Sequence, residues 1–192
     1  LIVMASDHGL SATHTHLDLG NFFKSHKYRV MEYPIFFKWK PQVAVFISGN
    51  SFATISFLDE KGLYNWKKLK DRHHEVIDDL VSKEAIDFVL SRDDNDGYIV
   101  SNENGLALIK VDGNRLTYHP VTTDVFGIGE VNNPLDFDAS HERTFESDYP
   151  DCLWQCHQLM KSHRSGDLVI SAASGYDLRD FWEIPEHKGS HG

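Results

Sequence analysis

Two short segments at opposite ends of the chain carry the residue types that bind metal ions. Near the beginning stands Ser6-Asp7-His8-Gly9, directly after the apolar run Leu1–Ala5. A carboxylate and an imidazole side by side can both ligate a zinc-like ion. Adjacent residues of a strand point apart, so both reach one ion only from an irregular loop, which Gly9 permits. Near the end stands Gly189-Ser190-His191-Gly192, where glycines let the backbone wrap closely while His191 enters from one side. Taken alone, each segment also describes an ordinary turn. Their joint presence is what raises a metal centre as the first candidate.

These segments need elements to position them. Leu1–Ala5 reads as a core strand delivering the Asp7-His8 loop, and ligands of open α/β sheets collect at carboxyl ends of strands. Asp151–Arg164 has the apolar spacing of a helix, with Leu153, Cys156, Leu159 and Met160 on one face. Ser165-Gly166-Asp167 ends it, and Leu168–Ala172 is a strand expected beside Leu1–Ala5. Asp18 or Asn21 caps a short helix that buries Phe22 and Phe23, and Tyr28–Met31 returns extended. Pro34 and Pro41 bracket the connector Ile35–Lys40.

The middle of the chain has a different character. Val43–Ile47 and Ala53–Leu58 flank Gly49-Asn50-Ser51 as a hairpin. Helical spacing predicts a helical region from Leu63 to Ser91. Asp96-Gly97, Asn104-Gly105 and Asp112-Gly113 then punctuate Tyr98–Ser101, Leu106–Val111 and Arg115–His119 as an antiparallel meander. Pro120–Pro150 reads as a long loop. The predicted class is α/β: a mostly parallel sheet with flanking helices over 1–33 and 150–192, carrying an α+β insertion over 34–149.

With these elements in place, the pattern resembles the alkaline phosphatase superfamily, and within it the type I phosphodiesterase/nucleotide pyrophosphatase branch. The features that carry the resemblance are Asp7-His8 in a Ser-Asp-His-Gly loop, a helix–Gly166-Asp167–strand unit, and the late Gly189-Ser190-His191-Gly192. Ser48-Gly49-Asn50-Ser51 and Asn102–Ala107 are also similar to that branch, loosely. The resemblance implies two divalent ions, usually zinc, above the sheet. Asp7 and His8 match the pair holding one ion, and His191 matches a ligand of the other. It implies a phosphorylated small-molecule substrate, in-line attack by an activated hydroxyl and a phospho-enzyme that water then hydrolyses.

The family draws its Ser or Thr nucleophile and remaining ligands from segments before the Asp-His pair. The sequence is therefore read as the C-terminal part of a catalytic core, whose partner is the N-terminal half of the same chain and which alone is expected to be inactive. Nucleotide pyrophosphatase, phosphodiesterase, phosphomonoesterase and sulfatase-like chemistry all stay open. The cofactor-independent phosphoglycerate mutases fit least, because their histidine after Asp-His-Gly lies farther along than His14 or His16. The reading from a different class is a non-catalytic binding or assembly module with no metal site.

Other residues have plainer readings. His14 and His16 are candidate ligands or polar loop residues. Cys152, Cys156 and His157 lie at the spacing of a buried helix face. His73-His74 reads as a solvated face, Lys38-Trp39-Lys40 as a surface connector, and His187 and Lys188 as a phosphate contact or support for His191. With 19 basic and 29 acidic residues the net charge is −10, which opposes a broad grip on nucleic acid. No apolar run approaches the ~20 residues that span a bilayer, and two cysteines make no disulfide framework.

Overall fold

A computed structural model describes residues 2–6, 8–32, 40–179 and 188–191. In chain order its elements are β1 (Ser11–Ala12), β2 (Thr15–His16), α1 (Leu19–Ser25), β3 (Val30–Met31), β4 (Val43–Ser48) and β5 (Phe52–Phe57). Next come α2 (Trp66–Val81), β6 (Ile86–Arg92), β7 (Gly97–Asn102), β8 (Gly105–Asp112) and β9 (Arg115–Pro120). The remainder are β10 (Val131–Leu135), α3 (Phe137–Thr144), α4 (Cys152–Lys161), β11 (Leu168–Ala172), β12 (Tyr176–Asp177) and β13 (Gly189–Ser190). The chain is α/β, with a large mixed sheet and four helices among the described residues.

The main sheet runs β10-β9-β8-β7-β6-β11-β5-β4-β3. Its pairs are antiparallel except for β3 with β4. The expected mostly parallel sheet is therefore corrected. Tight turns join β4 to β5, β7 to β8 and β8 to β9, and a tight turn can connect only antiparallel neighbours. The hairpin and the meander themselves lie where the turn dipeptides predict them.

β11 enters this sheet between β6 and β5, pairing Val169 with Leu90 on one side and with Thr54 on the other. This overturns two expectations. The 34–149 segment is not a flank apart from the core, because it supplies both neighbours of β11. Residues 2–5 form no strand, and Ile2, Val3 and Met4 are exposed. Both edges of β11 are taken, so no place beside it remains for them.

Alternation along β11 divides the core. Leu168 and Ile170 join a cluster with Leu19 and Phe23 of α1 and Leu69, Ile77 and Leu80 of α2. Val169 joins the opposite cluster with Leu153, Cys156 and Met160 of α4. Asp18 caps α1 by accepting from the Asn21 amide at 2.8 Å, and Asn65 caps α2 through the Lys68 amide at 2.9 Å.

The predicted helical region Leu63–Ser91 is half right. Helix α2 stops at Val81, and Ile86–Arg92 is β6, where Val89, Leu90 and Ser91 are all buried. A continuous apolar run bounded by a turn fits a two-faced interior strand better than a helix. The Pro120–Pro150 loop also holds structure. β10 pairs with β9 at the sheet edge, where Pro134 costs no interior ladder bond, and Asp136 caps α3.

His73 is likewise corrected, since it lies buried and stacks on Phe57 at 4.0 Å, while its Nδ1 meets the Tyr28 hydroxyl at 2.9 Å. Burial pushes its pKa down. His74 is exposed.

The entry to β11 is fixed by Asp167. Its carboxylate is buried and accepts from the Phe57 and Tyr64 amides, each at 2.7 Å. Beside it Arg92 donates to the carbonyls of Gly166 at 2.6 Å, Met160 at 3.1 Å and Ser162 at 2.7 Å. Asp167→Ala leaves two buried N–H groups without acceptors, a loss of about 2–4 kcal/mol. Urea denaturation of the variant should show that loss; stability unchanged from the parent would mean that Asp167 does not pin the strand.

Candidate functional site

One end of the sheet collects the loops that matter. There the Gly49-Asn50 turn joins β4 to β5 with both residues at positive φ, 59° and 68°. Two consecutive residues at positive φ favour glycine and asparagine, which tolerate the left-handed region. The carboxyl end of β11 arrives beside it, with the Ala172 amide on the Ser51 carbonyl at 2.8 Å. After a turn at Gly175 the chain returns, and the Leu178 amide donates to the Asn50 carbonyl at 2.6 Å.

Residues 11–16 act as a strap across this end. β1 pairs antiparallel with β13, Ser11 opposite Ser190 and Ala12 opposite Gly189. Four residues on, β2 pairs parallel with β12, Thr15 opposite Tyr176 and His16 opposite Asp177. Between them the Thr13 amide reaches the Lys188 carbonyl at 3.0 Å and the His14 amide the Gly175 carbonyl at 2.8 Å. The buried Thr13 hydroxyl also meets that of Ser190 at 3.1 Å. One early segment thus holds both late segments in place.

His191 is seated by backbone. Its amide donates to the Gly49 carbonyl at 2.7 Å, and its own carbonyl accepts from the Ser51 amide at 3.3 Å. A methyl group on Gly49 would lie 2.6 Å from His191 Nδ1 and 2.8 Å from its carbonyl carbon. The turn therefore needs glycine twice over, for its φ and for this approach.

The sequence-predicted histidines converge. The rings of His8 and His191 stack with centroids 3.7 Å apart and planes 5° from parallel. His8 Nδ1 lies 2.8 Å from the Gly9 carbonyl, and a carbonyl can only accept, so Nδ1 carries the proton. In the neutral ring Nε2 is then the lone-pair nitrogen, the arrangement that metal-binding histidines adopt. Ser6 donates to the His8 carbonyl at 2.6 Å and tightens the same loop. Asp7 lies outside the described residues, as does His187. Among the described residues no group of three His, Cys, Asp or Glu side chains is gathered as for an ion.

The other candidates separate by burial. His16 Nδ1 lies 2.7 Å from Asp177 Oδ1, which also accepts from the Arg179 amide at 3.2 Å. Asp177 is fully buried, and its Oδ2 has no hydrogen-bond partner. Spacing singles out His16 but cannot show Asp177 as its partner, because the pair depends on the β2–β12 register. His14 is exposed, and Lys188 contributes its carbonyl to the strap. Cys152 and Cys156 are free thiols on the buried face of α4, and burial pushes Cys152 up to about 12 and Cys156 higher still. His157 shares that face and pairs with the Tyr98 hydroxyl at 3.0 Å. Lys38 and Trp39 lie outside the described residues.

No known protein-family model, curated protein or solved structure matches the chain.

The seating of His191 can be tested at Gly49. Gly49→Ala forces a side chain into the left-handed region at a cost of about 1–2 kcal/mol and against His191. Amide exchange of Ser51 and His191 should accelerate while the β7–β9 amides keep their protection. Equal protection of Ser51 and His191 in parent and variant would refute the backbone seat.

Proposed function

We propose that this chain supplies part of a two-metal centre that hydrolyses phosphoric esters, with Asp7 and His8 toward one divalent ion and His191 toward the other. The observation that carries the proposal is the stack of His8 on His191, two residues separated by almost the whole sequence. Parallel rings 3.7 Å apart cannot both aim in-plane lone pairs at one tetrahedral ion. Neighbouring ions in two-metal sites lie ~3.5–4 Å apart, a spacing that rings stacked at 3.7 Å can match with one ring to each ion. The donor set of two imidazoles and a carboxylate suits zinc.

The chain's own residues have distinct tasks in this reading. Gly9 holds the His8 ring through its carbonyl in one tautomer, in which Nε2 is the nitrogen that would ligate an ion. The Gly49–Ser51 turn holds the His191 backbone by two hydrogen bonds, and the stack on His8 orients its ring. Bound divalent ions would neutralise charge on the transferred phosphoryl group and on the leaving oxygen. The resemblance assigns the Ser or Thr nucleophile and the remaining ligands to sequence preceding Leu1. The partner implied is therefore the N-terminal half of the same chain, and the substrate a phosphorylated small molecule.

The test uses a polypeptide extended through that preceding segment, reconstituted with zinc and assayed on bis-nitrophenyl and nitrophenyl phosphate. His8→Ala and His191→Ala should each lower kcat/KM by on the order of 100-fold or more, with the fold retained by circular dichroism. Full activity in both variants, or none in the parent, would favour the binding or assembly module instead.

A further inference from the structure

His191 has a second neighbourhood. It also lines an open groove of about 910 Å³ bounded by the sheet and α4. Phe52, Phe88 and Val169 give the groove its sheet side, and Leu159 lines it from α4. Phe126 and Tyr149 line it as well. Their rings interlock, Phe88 edge-on to Phe126 at 5.4 Å and Phe126 against Tyr149 at 5.2 Å. The Tyr149 hydroxyl donates to Asp87 at 2.8 Å, which occupies the one carboxylate among the described lining residues. These aromatic walls hold one another in place.

We infer that this groove receives the alcohol part of the phosphoric ester, and that it selects an apolar, uncharged alcohol over a polyphosphorylated one. The inference rests on the hydrolase reading above and names its substrate class. Continuity comes first: a group esterified to a phosphate beside His191 has this groove as its adjoining cavity. Charge decides the class. Among the described residues that line the groove none is Lys or Arg, and Asp87 is acidic. A second phosphate there would lose hydration with no counter-charge, whereas apolar surface gains about 25 cal/mol per Å² buried. The volume suits a drug-sized organic group.

The probes are 1-naphthol, 1-naphthyl phosphate, inorganic phosphate and ATP, titrated calorimetrically into this chain with zinc present. Naphthol reads the groove without the imidazole pair, and zinc uptake reads the pair without the groove, so the two proposals fail separately. Naphthyl phosphate should bind at least about tenfold more tightly than inorganic phosphate, and ATP no more tightly than inorganic phosphate. Gln155→Trp and Leu159→Lys change exposed positions of the lining, so folding is not at stake. Each should weaken naphthol and naphthyl phosphate about tenfold and leave zinc and inorganic phosphate unchanged. Three results would overturn the inference: naphthyl phosphate no tighter than phosphate, ATP tighter than naphthyl phosphate, or a dimer in sedimentation that Leu159→Lys dissolves.

Discussion

The insertion of β11 between β6 and β5 is the constraint on which the rest of the molecule depends. Without it the sheet is two unconnected pieces, β3–β5 and β6–β10, each with an open interior edge. Unpaired backbone groups in an apolar layer cost as much as lost hydrogen bonds, so the pieces have strong reason to share one strand. Because β11 is short, its two ends are tightly specified. Asp167 and Arg92 tie its entry to the Phe57–Tyr64 segment and to the end of α4. Its exit is aligned with the Gly49-Asn50 turn through Ser51.

That exit explains why the two histidines meet. The strap 11–16 cannot pair with 189–190 and with 176–177 unless both late segments emerge at the same end of the sheet. Registering β11 therefore registers the strap, and the strap brings His8 to His191. The convergence needs no partner for residues 2–5, which are exposed. It is organised by hydrogen-bonded backbone, with Gly49 allowing the closest approach.

Much of the fold was legible where local chemistry decides it. The Gly49, Gly97, Gly105 and Gly113 turns, the Asp18 cap and the buried Leu153, Cys156 and Met160 of α4 follow from residues that tolerate positive φ, cap helices or repeat at helical spacing, whereas Leu159, expected on the same face, is exposed. What was not legible is long-range. Leu1–Ala5 has the composition of a core strand, yet composition cannot reveal that β5 and β6 already flank β11. Phe88, Val89 and Leu90 suit either a buried helix or an interior strand, and only pairing settles the choice. The metal-ligand candidates were named from motif chemistry, and His8 and His191 come together. His16–Asp177 was invisible as a pair because it arises from a two-residue parallel ladder. His73 was misjudged because its charged neighbours Arg72 and Glu75 conceal an inward position at the kink of α2.

The central claim is that His8 and His191 serve neighbouring ions, and histidine ring-nitrogen NMR during zinc titration tests it most directly. The account predicts that the Nε2 resonance of His8 and a ring-nitrogen resonance of His191 move to zinc-bound positions, while His8 Nδ1 keeps its proton. His14, His73 and His157 should stay where they were. Zinc that leaves both rings untouched in a chain that remains folded, or that gathers at Cys152 and Cys156, would contradict it.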